Sequence, residues 1–194
     1  MKGGLGERPL SITAVPSWLS APDLGGLLAI PDEAVLQVLA VQAPQAGLFD
    51  PDVAASWVAD FAKHTRKPFR VALPTYGSRV SWNADGSLSA VESESAALAA
   101  GAVASELYAA PSTVLGFVRR LDTHRPDRLA GIVWFRLPTP EDTRAWSLAT
   151  WRGVVTGRID TQPVTISLST PTADGPSDIL IENPGAMDAE APAS

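Results

Sequence analysis

Aromatic and planar polar side chains recur where the apolar runs of this chain end. Trp18 closes one run, Gln37 and Gln42 a second, Tyr76, Arg79 and Trp82 a third, and Trp134 and Arg136 a fourth. Aromatic faces stack on the apolar faces of sugar rings, while amides and guanidinium groups hydrogen-bond hydroxyls or pair with carboxylates. That mixture suits a saccharide cleft better than a phosphate site. These eight residues are the expected substrate-binding set. No catalytic residue, metal ligand or cofactor is assigned from the sequence.

Other constellations carry less. His64 and His124 stand apart in charged, helix-terminal surroundings and read as surface residues. Glu92 and Glu94 alternate and would share a face of an extended segment, a spacing compatible with paired-carboxylate chemistry, although glutamates in a loop are usually just solvated. No serine sits in a G-x-S-x-G elbow, which disfavours a hydrolase triad. The glycine run Gly3-Gly4-Leu5-Gly6 precedes a strand instead of following one, so it is no dinucleotide fingerprint. Trp57, Trp146 and Trp151 fall at helical spacing and read as core or helix-surface residues.

The elements that must position the candidate residues follow from periodicity. Four runs, Leu10 to Leu19, Glu33 to Gln42, Phe69 to Gly77 and Leu129 to Pro138, are near-continuously apolar, as strands covered on both faces are. Helical patterns lie between them. Asp50 caps one helix with Pro51 at its first position, and Val53, Trp57, Val58 and Phe61 form its apolar stripe. Residues 95–110 and 111–121 read as a helical pair broken near Pro111. Thr139 and Pro140 are expected to start a last helix that Gly157 stops.

After the third strand, residues 79–93 alternate around Asn83-Ala84-Asp85-Gly86, a hairpin signal. The order βαβαβαβα implies parallel strands joined by right-handed crossovers, and strand ends of that kind are where ligands bind. A closed (β/α)8 barrel needs roughly 250 residues, so four units in residues 1–157 predict half of such a barrel. Residues 158–194 are expected to hold a short β-strand pair and a disordered tail beginning at Met187.

Composition bounds the rest. The 194 residues carry a net charge of -6, with 45% hydrophobic and 19% charged residues, enough for a sizeable core. That charge, with no basic run seen, disfavours nucleic acid and anionic membrane as partners. Cysteine is absent, which removes disulfides and thiolate chemistry. No apolar run is long enough to span a bilayer. The opening has no signal-peptide pattern, so the product is expected in the cytoplasm as written, or in the periplasm or envelope if the true start lies upstream.

Six segments of the chain carry a family resemblance: LSITAVPSWL, VLQVLAVQAPQAGLFDP, FRVALPTYGSRVSW, AVESE, LAGIVWFRLPT and RAWSLATWR. In that order, from Leu10 to Gly157, the chain resembles a bacterial family catalogued as domain of unknown function 3142. The resemblance implies a barrel-like fold with further strands upstream, which makes the four units the C-terminal half of a (β/α)8 TIM-type barrel, with exposed sheet edges open to self-association. A more distant similarity is to chitinase-like glycoside hydrolases. Leu73, Pro74, Tyr76 and Gly77 match a pattern at the end of their seventh strand, and Trp134 would match the tryptophan under the bound sugar. Their acid-rich fourth-strand motif and a Tyr-Asp pair have no counterpart here. What the similarity implies is a sugar-shaped cleft without identified catalytic carboxylates, or else a non-catalytic glycan-binding or structural envelope protein.

Overall fold

A computed structural model describes residues 8–39, 47–83, 85–92, 103–139, 141–160, 162–169 and 177–189. Strands β1 (Ser11–Ala14), β2 (Glu33–Gln37), β3 (Phe69–Pro74) and β7 (Leu129–Phe135) form a sheet in the order β1-β2-β3-β7, and every pairing is parallel. These are the four strands expected from the apolar runs. Among the described residues the sheet is open, with β1 and β7 at its two edges.

Helices α1 (Leu24–Leu28), α2 (Pro51–His64), α3 (Pro111–Thr123) and α4 (Leu148–Val155) neighbour one another in chain order. A 3-10 helix, Pro16–Ser20, packs against α1 and α2. Asp50 starts α2 as expected, its carboxylate accepting from the backbone N–H groups of Asp52 and Val53 at 2.9 and 3.0 Å. Pro111 opens α3, and the turn after α4 passes through Gly157, whose φ of 75° suits a glycine. No helix among the described residues is long and apolar enough to cross a membrane.

The core lies on one face of the sheet. Ala14, Ala34, Leu36, Val38, Phe69, Val71 and Leu73 join the buried cluster with Val58 and Phe61 of α2 and Val114 and Phe117 of α3. Their alternates along the strands do not. Val35, Gln37, Arg70 and Val133 point to the opposite face and are half-buried, and Ala72 is buried there but stands outside the cluster. Near-continuous apolarity led to the expectation of two covered faces. The described helices instead form one layer against the core face, and among the described residues no helix joins the cluster from the second face.

Three local expectations need correction. Residues 103–108 were expected to be helical but form strand β6, which pairs antiparallel with β4 (Gly77–Trp82); residues 95–102 of that expected helix lie outside the described residues. Leu107 is buried on the face of β6 that pairs with Ser78, so sheet pairing overrides the local helical preference. With β5 (Leu88–Glu92), the expected hairpin thus becomes a three-stranded sheet in the order β5-β4-β6.

The last helix begins at Leu148, not near Thr139, and Ser147 caps it through a bond from Thr150 N at 3.2 Å. Residues 144–146 are occupied elsewhere, running beside the end of β3. Strands β8 (Thr165–Ser169) and β9 (Asp178–Glu182) pair antiparallel as expected. Met187 and Asp188, however, are placed against α4: Asp160 N donates to Met187 Sδ, and Ser147 N donates to Asp188 Oδ2 at 2.7 Å.

Candidate functional site

The parallel strands deliver their C-terminal ends to one side, where β3 gives way to Thr75 and Tyr76 and β7 to Arg136. A seam joins the two exits. Trp146 N donates to Thr75 O at 2.8 Å, Gly77 N donates to Arg144 O at 2.7 Å, and Tyr76 bridges Ala145. The Thr75 hydroxyl donates to the Arg136 carbonyl. Glycine is required at 77, because a Cβ there would lie 2.8 Å from Leu107 O.

Tyr76 is buried, its ring 6.0 Å from that of Phe135 and 5.5 Å from Arg136 Cζ. Burial pushes the Tyr76 hydroxyl up from its usual range, partly offset by the Arg136 charge. Arg136 also pairs with Asp142. This sets a ring and a guanidinium side by side at the exit, a cation–π contact.

Arg79 belongs to a different cluster. Its Nη2 lies 2.7 Å from Glu106 Oε1, and Arg144 Nε donates to Glu106 Oε2 at 3.0 Å. The two guanidinium side chains are only 15% and 11% exposed, while Glu106 is 52% exposed. Hydrogen bonding from Arg144 is the largest cause holding the Glu106 carboxyl below its usual range, and Arg79 adds to it. Glu92 faces Arg79 directly across the β4–β5 pairing, so Arg79 sits between two carboxylates.

The remaining expected residues are dispersed. Trp18 and Trp82 are half-buried against the core cluster. Gln37 is half-buried at the exit of β2 on the open face, alternating with buried Leu36 and Val38. Gln42 lies outside the described residues, as does Glu94. Trp134 pairs in register with core residue Leu73, which turns it toward the helices, with its ring 6.4 Å from that of buried Trp146. The structure therefore brings Tyr76 and Arg136 together and sends Trp134 and Arg79 elsewhere.

Phe135 is the residue the sequence reading missed. It pairs with Pro74, alternates with Trp134 and remains 40% exposed at the end of the open face. Counting alternation back from Leu129 does not find it, because the register slips between Phe69 and Arg70. A separate open concavity of about 430 Å³ follows β7, lined by Pro138, Thr139, Asp142, Trp146, Ser147 and Asp188 among others. None of the eight expected residues lines it. Its two carboxylates are already engaged, Asp142 with Arg136 and Asp188 with the Ser147 N–H.

The family model described as Domain of unknown function (DUF3142) matches residues 5–140. The chain belongs to that family. The DUF3142 match spans β1 to β7 and the exit residues Tyr76 and Arg136, and it stops short of α4 and the β8–β9 ribbon. Neither the curated proteins nor the solved structures hold a match to the chain.

Proposed function

We propose that this DUF3142 chain is half of a glycoside-hydrolase-like (β/α)8 barrel and binds a saccharide at the C-terminal end of its open sheet face. Strand order supports the barrel half. A doubly wound sheet reverses its order and carries helices on both faces, whereas here the order runs β1-β2-β3-β7 with one helix layer. The observation that carries the ligand is Phe135, an aromatic ring open at the strand exit beside Tyr76 and Arg136. Gln37 adds an amide on the same face. The stacking ring of this proposal is Phe135 in place of Trp134.

Binding is better supported than hydrolysis. Glu106 is clamped by two arginines that keep it ionised, and Asp142 is committed to Arg136. A general acid would need the opposite environment, one that raises its pKa. A non-catalytic glycan-binding or envelope module would use the same residues, and absence of turnover would favour it.

Calorimetry with soluble chito-, cello- and xylo-oligosaccharides tests the site. Phe135→Ala should lower affinity several-fold to about tenfold, from the loss of a stacking surface worth about 0.5–1.5 kcal/mol beyond area burial. Arg136→Lys keeps the charge but loses the planar fork and should also weaken binding. No binding to any of these sugars, or equal binding by wild type and both variants, sinks the proposal.

A further inference from the structure

We propose that the concavity between the C-terminal ends of α1 and α2 is an anion site that takes the phosphate group of a small ligand. It lies at the N-terminal ends of β2 and β3, opposite the strand exits, and does not rest on the saccharide reading.

Residues 63–67 read Lys-His-Thr-Arg-Lys, which gathers three of the chain's 15 Lys and Arg and one of its two His into one stretch. The net charge of -6 hides this basic run. Lys63, His64, Arg66 and Lys67 line an open concavity of about 530 Å³, whose wall Gly25, Leu28 and Ala29 complete. No carboxylate is among the described residues that line it. Small-molecule sites run from roughly 300 to 1,000 Å³, so the space admits a phosphate together with an organic portion. Both walls belong to consecutive βα units, whose helices pack on each other.

A structural role accounts for some of these cations and not for all. Lys67 Nζ donates to Ala29 O and Pro31 O at 2.6 and 2.5 Å. Those bonds offset the negative end of α1 and leave one of the ammonium's three N–H donors for a ligand. Lys63 and His64 occupy the last turn of α2, where positive charge is also favourable. Lys63 pairs with Asp60 at 3.1 Å, yet it is 73% exposed, and a pair so solvated is weak enough to exchange for a ligand.

Arg66 has neither role. It stands beyond the helix, and among the described residues no partner holds its side chain or that of His64. Its backbone is nevertheless fixed. The buried Thr65 hydroxyl donates to Lys67 O and accepts from Lys67 N, each at 3.1 Å, which closes the turn that carries Arg66. The guanidinium is thus set beside the anchored Lys67 without a carboxylate to satisfy it.

That arrangement favours phosphate over a single carboxylate. A carboxylate is met by one guanidinium fork, whereas a phosphate offers more charge and three terminal oxygens. Arg66 supplies the planar fork, and Lys63 and the remaining Lys67 donor supply point charges.

Calorimetry and amide-resolved NMR titrations with inorganic phosphate and glycerol 3-phosphate test the site, with glycerol as the neutral control. Wild type should bind at least one of the two phosphates and not glycerol, with shifts centred on residues 25–29 and 63–67. Affinity should fall as ionic strength rises, because the Debye length shrinks from about 30 Å at 0.01 M to about 8 Å at 0.15 M. Arg66→Ala removes a charge-assisted bond and should weaken binding at least tenfold, and Lys63→Ala should weaken it several-fold. Arg120→Ala removes an exposed cation of α3 that pairs with Asp52 and should leave binding unchanged. If Arg66→Ala loses its circular dichroism spectrum, Arg66→Gln replaces it and must show the same loss. Tighter binding of glycerol 3-phosphate assigns a phosphate ester as the ligand, and binding of inorganic phosphate as tight or tighter assigns the free ion. No binding of either phosphate, shifts centred elsewhere, equal affinity in wild type and the Arg66 variant, or an equal loss in Arg120→Ala overturns the proposal. None of these outcomes touches the saccharide reading, which is tested through Phe135.

Discussion

Adjacent aromatics on β7 should fail in opposite ways when removed. Trp134 faces the helices against Trp146, whose indole is 1% exposed and donates to Ala109 O at 2.8 Å. Removing a fully buried tryptophan costs about 3–5 kcal/mol, and the partial exposure of Trp134 lowers the expectation for Trp134→Ala to about 2–4 kcal/mol. At about 2–4 °C per kcal/mol for a chain of this size, its melting temperature should fall by about 5–15 °C. Phe135 is 40% exposed and lies outside the core cluster, so Phe135→Ala should cost about 1–2 kcal/mol and only a few degrees. Thermal and urea unfolding followed by circular dichroism measure both. Trp134→Phe should recover part of the loss, because the ring contact with Trp146 survives in reduced form. If Phe135→Ala proves the more destabilising, or if Trp134→Ala melts like wild type while abolishing sugar binding, the assignment of faces on β7 is wrong.

Three further substitutions probe the framework. Glu106→Gln should flatten the acid limb of the stability curve: the folded carboxyl lies below its usual 4.5, so its contribution is full above that value and fades as pH falls through the folded pKa. The difference, read by urea titration between pH 6 and pH 3, should stay below about 1 kcal/mol because Glu106 is half exposed. Asp50→Ala removes the cap of α2 and should cost about 1 kcal/mol by urea unfolding, with Asp50→Asn recovering most of it. Gly153→Ala sets helix propensity against packing. Propensity alone favours alanine by about 1 kcal/mol. Its Cβ, however, would lie 2.5 Å from Arg158 O and 2.8 Å from Met187 Cε, so net destabilisation by about 1–3 kcal/mol is expected in the same assay.

The four parallel strands were legible because hydrophobic runs bounded by turn residues are a local signal, and α2 was legible because Asp50, Pro51 and the stripe ending at Phe61 agree with one another. What failed was non-local. The stretch VASELY reads as helical on its own, and only its pairing with Gly77–Trp82 makes it a strand. The start of α4 moved to Leu148 because residues 144–146 bond to Thr75 and Gly77, partners some 70 positions away in sequence. Whether a strand is covered on one face or two cannot be read from its own apolarity. That ambiguity is also why Trp134 looked open and Phe135 drew no notice: the pattern marks both as apolar, and only the register with Leu73 and Pro74 assigns their faces.

That register also explains why aromatic and charged groups gather at these exits without forming one cleft. Past Pro74, β3 leaves the parallel sheet, and its continuation Gly77–Trp82 becomes the centre strand of a second, antiparallel sheet. Tyr76 lies at the junction and stays with Phe135 and Arg136, whereas Arg79, three residues on, is carried to Glu106 and Arg144. The loop after β7 ties the groups together, because Asp142 holds Arg136 while Arg144 holds Glu106 and receives the Gly77 N–H. Tyr76 and Arg79 are close in sequence yet divided between two sheets, so a ligand seated on Phe135, as proposed, would meet Tyr76 and Arg136, while Arg79 is tied to that exit only through the Glu106–Arg144 pair.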